Sequence, residues 1–94
     1  MRLSEQERKS ILAAVRSYDA EAEVLLFGSR VDDTKRGGDI DLLIFSRSIG
    51  SAQKRSIRRA ICDAIGEQKI DIIVAADDSQ PMVRVAQRTG VALK

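Results

Sequence analysis

Residues 27–44 read FGSRVDDTKRGGDIDLLI, and this stretch decides the fold and the chemistry that the sequence predicts. It begins at the end of the apolar run 24–27 and extends into a second apolar run, 42–45. Short apolar runs next to glycine are typical of buried strands. The polar segment between them closes with Gly37 and Gly38, which favours a turn or short irregular helix that folds back sharply.

Helical periodicity predicts a first helix from about Glu5 to Tyr18. Ser4 and Glu7 form a capping-box pattern at its start. The apolar positions then recur at helical spacing, at Ile11, Leu12, Val15 and Tyr18. Strand one is expected at 24–27, and strand two starts at about Asp39 and is apolar on both faces from residue 42.

The second half of the chain predicts two more helices and two more strands. A helix from about Ser51 to Ile65 is followed by Gly66, a residue type that commonly ends helices. Strand three follows at 70–75. Pro81 opens a last helix that carries Met82, Val85 and Ala86, Gly90 ends it, and 91–93 form a short edge strand. This order predicts one α/β or α+β domain over residues 1–94, with helices packed on a small mixed sheet.

Composition narrows the possible functions. The 94 residues are 44% hydrophobic and 32% charged, as in ordinary globular proteins. The first ten residues are too charged for a signal peptide, and no apolar run approaches the roughly 20 residues of a membrane span, so we expect a cytoplasmic protein. Histidine is absent, which excludes Ser-His-Asp and Cys-His catalysis. The single cysteine, Cys62, fits a small core residue without a disulfide or zinc site.

A basic cluster lies in the predicted second helix. Its members are Lys54, Arg55, Arg58 and Arg59, which occupy one sector of the helix. A solvated helix face explains such a cluster, and a docking surface for an acidic partner or for nucleic acid explains it too. With only three aromatic residues in the chain, a base-stacking platform is poorly supported.

Two carboxylates open the second predicted strand. Residues i and i+2 of a strand point to the same face with Cα atoms about 6.6 to 6.8 Å apart, so Asp39 and Asp41 lie side by side while Ile40 and Leu42 face the other way. Their repulsion is removed by a bound divalent cation, and oxygen ligands suit Mg²⁺ or Mn²⁺. Two such ions about 3.5 to 4 Å apart support in-line displacement at phosphorus.

A glycine and a serine stand directly after strand one. Gly28 lets the backbone approach an anion, and Ser29 supplies a hydroxyl and an amide donor, which suits a triphosphate tail. A strand-ending turn is the simpler interpretation of that pair alone, as a helix cap or solvated pair is for Asp-x-Asp. Their coincidence in one short segment favours the functional interpretation.

A third carboxylate, Asp71, opens strand three in the same manner. It is either a solvated strand end or the third member of a metal triad. In the triad it would also accept the proton of an attacking hydroxyl.

The pattern Phe-Gly-Ser-Arg, a polar loop ending in Gly-Gly, and then Asp-Ile-Asp-Leu-Leu-Ile resembles the minimal nucleotidyltransferases of the DNA polymerase beta superfamily. The resemblance implies a triphosphate held at Gly28 and Ser29 and two Mg²⁺ ions held by the three acids, and all five positions match. Arg30 is a candidate for neutralising phosphate charge, or a salt-bridge partner of a neighbouring aspartate. Many relatives carry a second basic residue soon after this arginine, where the present chain has Asp32 and Asp33.

The resemblance also implies a kind of acceptor. Larger members of the superfamily carry further domains that shape the acceptor pocket, and none is evident in this sequence, so we expect a partner protein to supply the acceptor. Minimal members resemble antitoxins that add AMP from ATP to a tyrosine of a HEPN toxin. Two alternatives stay open: a non-catalytic antitoxin that binds the toxin, and the catalytic subunit of a split aminoglycoside nucleotidyltransferase.

Overall fold

The computed structural model describes residues 3–27, 40–66 and 69–93. Over these ranges, three helices and four strands form a small mixed α/β fold, which confirms the predicted class. In chain order they are α1 (Glu5–Arg16), β1 (Glu23–Phe27), β2 (Ile40–Phe45), α2 (Ser51–Ile65), β3 (Ile70–Ala75), α3 (Pro81–Thr89) and β4 (Val91–Leu93).

The four strands form one sheet in the order β3-β2-β1-β4. β1 is antiparallel to both β2 and β4, whereas β2 and β3 are parallel. Parallel neighbours need a crossover connection, and α2 supplies it between β2 and β3. Because β1 runs opposite to β2 and β3, the last residue of β1 and the first residues of β2 and β3 lie at the same end of the sheet.

Helices cover both faces of the sheet. The even-numbered positions of β1, β2 and β3 pack with α1 and α2 in the main core, where Leu26, Ile40 and Leu42 are fully buried. The odd-numbered positions form a smaller cluster with α3, in which Leu43 packs with Val83 and Ala86. β2 is thus covered on both sides, as its apolar run predicts.

The predicted start of α1 and the predicted end of α2 are confirmed. Ser4 Oγ accepts a hydrogen bond from the backbone N–H of Glu7 at 3.1 Å, and Glu7 Oε1 accepts one from the N–H of Ser4 at 2.9 Å. This is the predicted capping box. α2 ends before Gly66, whose φ of 93° lies in the region that favours glycine.

Three residues singled out in the predicted helices are not fully buried. Tyr18 lies beyond the end of α1 and is 47% exposed, because the chain turns there toward β1, with the N–H of Tyr18 bonded to the Val15 carbonyl at 3.1 Å. Val85 is 50% exposed, because the sheet-facing side of α3 carries Val83 instead, and the side chain of Met82 lies outside the described residues. Cys62, expected as a small core residue, is half-buried and packs against the boundary of the main core, one position round the helix from the buried Ile61.

No helix in the described ranges is long and apolar enough to cross a membrane.

Candidate active site

Asp41 and Asp71 stand next to each other across the parallel strands. Asp41 is the register partner of Asp71 on one side and of Phe27 on the other. Phe27 is the last residue of β1, while each aspartate is the second residue of its strand. The sheet thus brings together the end of β1 and the starts of β2 and β3, which lie far apart in sequence.

The two aspartates share one face of the sheet. Side chains alternate along a strand, and the fully buried Ile40 and Leu42 point into the core under α1 and α2. Asp41 and Asp71 therefore project from the opposite face, the one that α3 covers further along at Leu43. The prediction that the flanking apolar residues face away from the carboxylates is confirmed for Ile40 and Leu42.

Position within the sheet explains how exposed each aspartate is. Asp41 is half-buried because β2 lies between two other strands, and Asp71 is exposed because β3 is the edge strand. Neighbouring strands lie about 4.8 Å apart. Like charges that stand opposite each other at that spacing destabilise a sheet. Two carboxylates so placed offer the hard oxygen ligands that Mg²⁺ and Mn²⁺ prefer, so these residues fit a divalent cation.

The other predicted site residues, Gly28, Ser29, Arg30 and Asp39, lie outside the described residues. So do Asp32 and Asp33. Phe27 and Ile40, the described residues bonded to Gly28 and Asp39, both lie at the end of the sheet that carries Asp41. Within the described ranges, which include only two of the three predicted acids, no group of three or more potential ligands is placed to hold a metal ion.

A groove of about 850 Å³ opens beside Asp71, between α2 and the start of β3. Its lining is rich in cationic side chains and also includes the single cysteine: Arg55, Arg58, Arg59, Cys62, Asp63, Lys69, Ile70 and Asp71. Sequence reasoning identified the helical arginines but not their proximity to Asp71. The spacing of three and four residues indicated that the arginines share one side of α2. Their proximity to Asp71 depends on the crossover that sets α2 beside β3, which is a property of the tertiary structure.

The model of the nucleotidyltransferase domain matches residues 8–88, most of the chain. This chain belongs to the nucleotidyltransferase domain family. The matched range contains the whole segment 27–44 and Asp71, so the family assignment covers every predicted site residue. A comparison with curated proteins found no match.

Membership supports nucleotidyl transfer as the general chemistry of this nucleotidyltransferase domain. Domains of this kind generally use a nucleoside triphosphate and a divalent metal ion. The paired aspartates at the sheet end agree with that requirement, since hard oxygen ligands serve divalent cations that bind phosphates.

Proposed function

We propose that this domain is a Mg²⁺-dependent adenylyltransferase that moves AMP from ATP to the hydroxyl of a tyrosine on a partner HEPN toxin. By this modification it would act as an antitoxin. The observation that supports it most directly is the register pairing of Asp41 with Asp71 on one face of the sheet. The choice of AMP, tyrosine and toxin rests on the resemblance of the 27–44 segment to minimal nucleotidyltransferases.

The resemblance and the residue types support a role for each predicted site residue. Asp41 and Asp71, with Asp39, would hold the divalent cations, and Gly28 and Ser29 would hold the triphosphate, with Arg30 offsetting its charge. When bound, the cations neutralise charge on the phosphates and orient the leaving group. Mn²⁺ has the same preference for oxygen ligands and serves as the alternative ion.

The chemical step is an in-line displacement at the α-phosphorus. The acceptor oxygen forms a bond to the α-phosphorus as the bond from that phosphorus to the bridging oxygen breaks, and pyrophosphate leaves with the electron pair. The hydroxyl proton goes to a carboxylate oxygen of Asp71, which is exposed and open to an acceptor from outside. Exposure at the edge strand is what lets a macromolecule bring its hydroxyl to this position.

Intact-mass measurement of the toxin tests the proposal. The domain is expressed with the product of its neighbouring gene, the complex is purified, and ATP with MgCl₂ is added. A mass increase of whole AMP units on the partner, mapped to a tyrosine by peptide sequencing, is the expected result. Asp41→Asn should abolish it, and Glu21→Gln, which removes an exposed carboxylate at the opposite end of β1, should not. Neutralisation of the toxin without any mass change would instead favour a non-catalytic antitoxin.

A further inference from the structure

The groove beside Asp71 belongs to a longer surface along α2 and β3. A second hollow is lined by Lys54, Arg55, Arg58 and Ile72, and so shares both arginines with the groove at Asp71. A third hollow shares Lys54 with the second and continues past Val74. The three hollows therefore follow one another along the seam between α2 and β3. We name this surface the cationic groove, and its basic residues are Arg47, Lys54, Arg55, Arg58, Arg59 and Lys69.

We propose that the cationic groove docks an acidic segment of the partner protein and delivers the acceptor hydroxyl to Asp71. Asp71 lines one end of the groove at the exposed edge strand β3, and its carboxylate projects from the face of the sheet opposite α2. A segment seated along the seam therefore reaches the proposed transfer site by passing round this edge. The delivery step rests on the proposed function, whereas occupancy of the groove is testable without any transfer.

Charge is the first argument for an acidic occupant. Six basic residues line the groove against the two carboxylates of Asp63 and Asp71, although the net charge of the whole chain is only +2. Over the described ranges, Lys54, Arg55 and Arg58 form no ion pair, and their side chains are exposed. Among the described residues, positive charge therefore outweighs negative charge along this surface.

The chemistry of arginine is the second argument. A guanidinium group presents planar paired donors that match a carboxylate in two parallel hydrogen bonds. Arg58 and Arg59 follow Arg55 by three and four residues, so both neighbour Arg55 on the surface of α2 and the three form one cluster. Carboxylates on an extended segment alongside β3 would meet that cluster.

The lining favours a protein over a nucleic acid. None of the groove's described lining residues is aromatic, so bases would find no stacking platform. Asp63 and Asp71 also stand in the groove. A phosphodiester backbone carries a charge at every nucleotide and cannot avoid them, whereas a peptide carries its charges on separate side chains that can.

Charge reversal with a matched control tests the groove. The probe is a fluorescein-labelled peptide of alternating Glu and Ser, about 12 residues long, which exceeds the length of β3 at about 3.3 Å per residue. Its binding is measured by fluorescence anisotropy at low salt. The double variant R58E/R59E should weaken binding at least about tenfold, because two attractive contacts become repulsive. The control K9E/R16E makes the same change of net charge at exposed positions on α1 and should leave binding within about twofold.

Cys62 supplies a second readout inside the groove. It is the only cysteine of the chain and lies half-buried in the lining. Saturating peptide should slow its modification by a small maleimide in the wild-type protein and in K9E/R16E, but not in R58E/R59E at the same peptide concentration. Circular dichroism and the melting temperature establish that both variants are folded.

Each outcome decides the proposal. Selective loss of peptide binding in R58E/R59E, with protection of Cys62 in the wild type, supports it. Equal effects of the two variants, or no peptide binding, overturn it. An oligouridylate of matched charge that binds more tightly than the peptide, through the same arginines, would assign the groove to nucleic acid. Loss of the MgATP-induced stabilisation in R58E/R59E would assign it to nucleotide. The peptide measurements need no ATP, so they stand even if transfer to the partner fails.

Discussion

Asp41 of β2 and Asp71 of β3 are register partners, and they occupy the face of the sheet opposite to Ile40 and Leu42. Thirty positions of sequence separate two carboxylates that the parallel pairing places one strand spacing apart. Both can therefore contribute to a single cation site.

MgATP should stabilise the protein. A ligand that binds only the folded state at a hundredfold excess over its Kd adds about 2.7 kcal/mol to the free energy of unfolding. For a chain of this size, that corresponds to a rise in Tm of about 10 °C or more. A thermal melt measures it, with ATP plus EDTA as the control. An unchanged Tm, together with no heat in isothermal titration, would rule out the site assignment.

Asp41→Asn should abolish transfer without destabilising the metal-free protein. The substitution removes a cation ligand and also relieves the repulsion between Asp41 and Asp71, and the double variant with Asp39→Asn should behave in the same way. Transfer from labelled ATP and the urea midpoint measure the two effects. Glu21→Gln is the control and should retain activity. If the double variant kept more than a few per cent of wild-type transfer, the metal mechanism would fail.

Asp71→Asn should separate binding from turnover. Loss of a general base lowers the chemical step by about 10²- to 10⁴-fold, while MgATP should still raise the Tm through the remaining ligands. Single-turnover transfer measures the chemical step, and a separate titration measures the affinity for MgATP. Asp78→Asn, which removes an exposed carboxylate beyond the far end of β3, is the control. Near-normal transfer by Asp71→Asn, with a stability change of about 0.5 kcal/mol or less, would show that Asp71 is only a solvated strand end.

Gly90→Ala should destabilise the junction between α3 and β4. A Cβ atom at Gly90 would lie 2.7 Å from the Ala86 carbonyl oxygen and 2.9 Å from the Leu26 carbonyl oxygen. Both are backbone atoms that move only with their elements, so the free energy of unfolding should fall by about 2 to 3 kcal/mol. At Gly50 the nearest atom is the flexible Gln53 Oε1 at 3.1 Å, so Gly50→Ala should cost about 1 kcal/mol or less, mainly through the weaker N-cap. Equal costs in urea denaturation would contradict the clash.

Ser46→Ala should destabilise the turn that leads into α2. The buried Ser46 Oγ donates to Asp19 Oδ2 at 2.5 Å and accepts from the N–H groups of Ser48 and Ile49 at 3.1 and 3.2 Å. Its loss leaves buried polar groups without partners, which costs about 1 to 3 kcal/mol. Ser56→Ala, at an exposed helix position, should change stability by about 0.5 kcal/mol or less. Chemical denaturation compares the two, and a neutral Ser46→Ala would refute the role of this turn.

Local sequence determined the elements of this protein. The capping box at Ser4 and Glu7, the glycine after α2 and Pro81 at the start of α3 are short-range signals, and the structure places helix ends at each of them. The alternation along β2 also predicted that Asp41 projects from the face opposite Ile40 and Leu42, because a strand has a period of two residues. The match to the nucleotidyltransferase domain agrees with the pattern in segment 27–44.

The tertiary structure decided which side chains are buried and which residues of different elements are neighbours. Helical spacing assigned Tyr18 to the first helix and Val85 to the last, but α1 ends at Arg16 and α3 packs through Val83 and Ala86, so both side chains are exposed. The pairing of Asp41 with Asp71, and the position of Arg58 at a groove that ends at Asp71, depend on the parallel β2–β3 register and on the α2 crossover. These are long-range packing relationships, and local periodicity carries no information about them because it reports one element at a time.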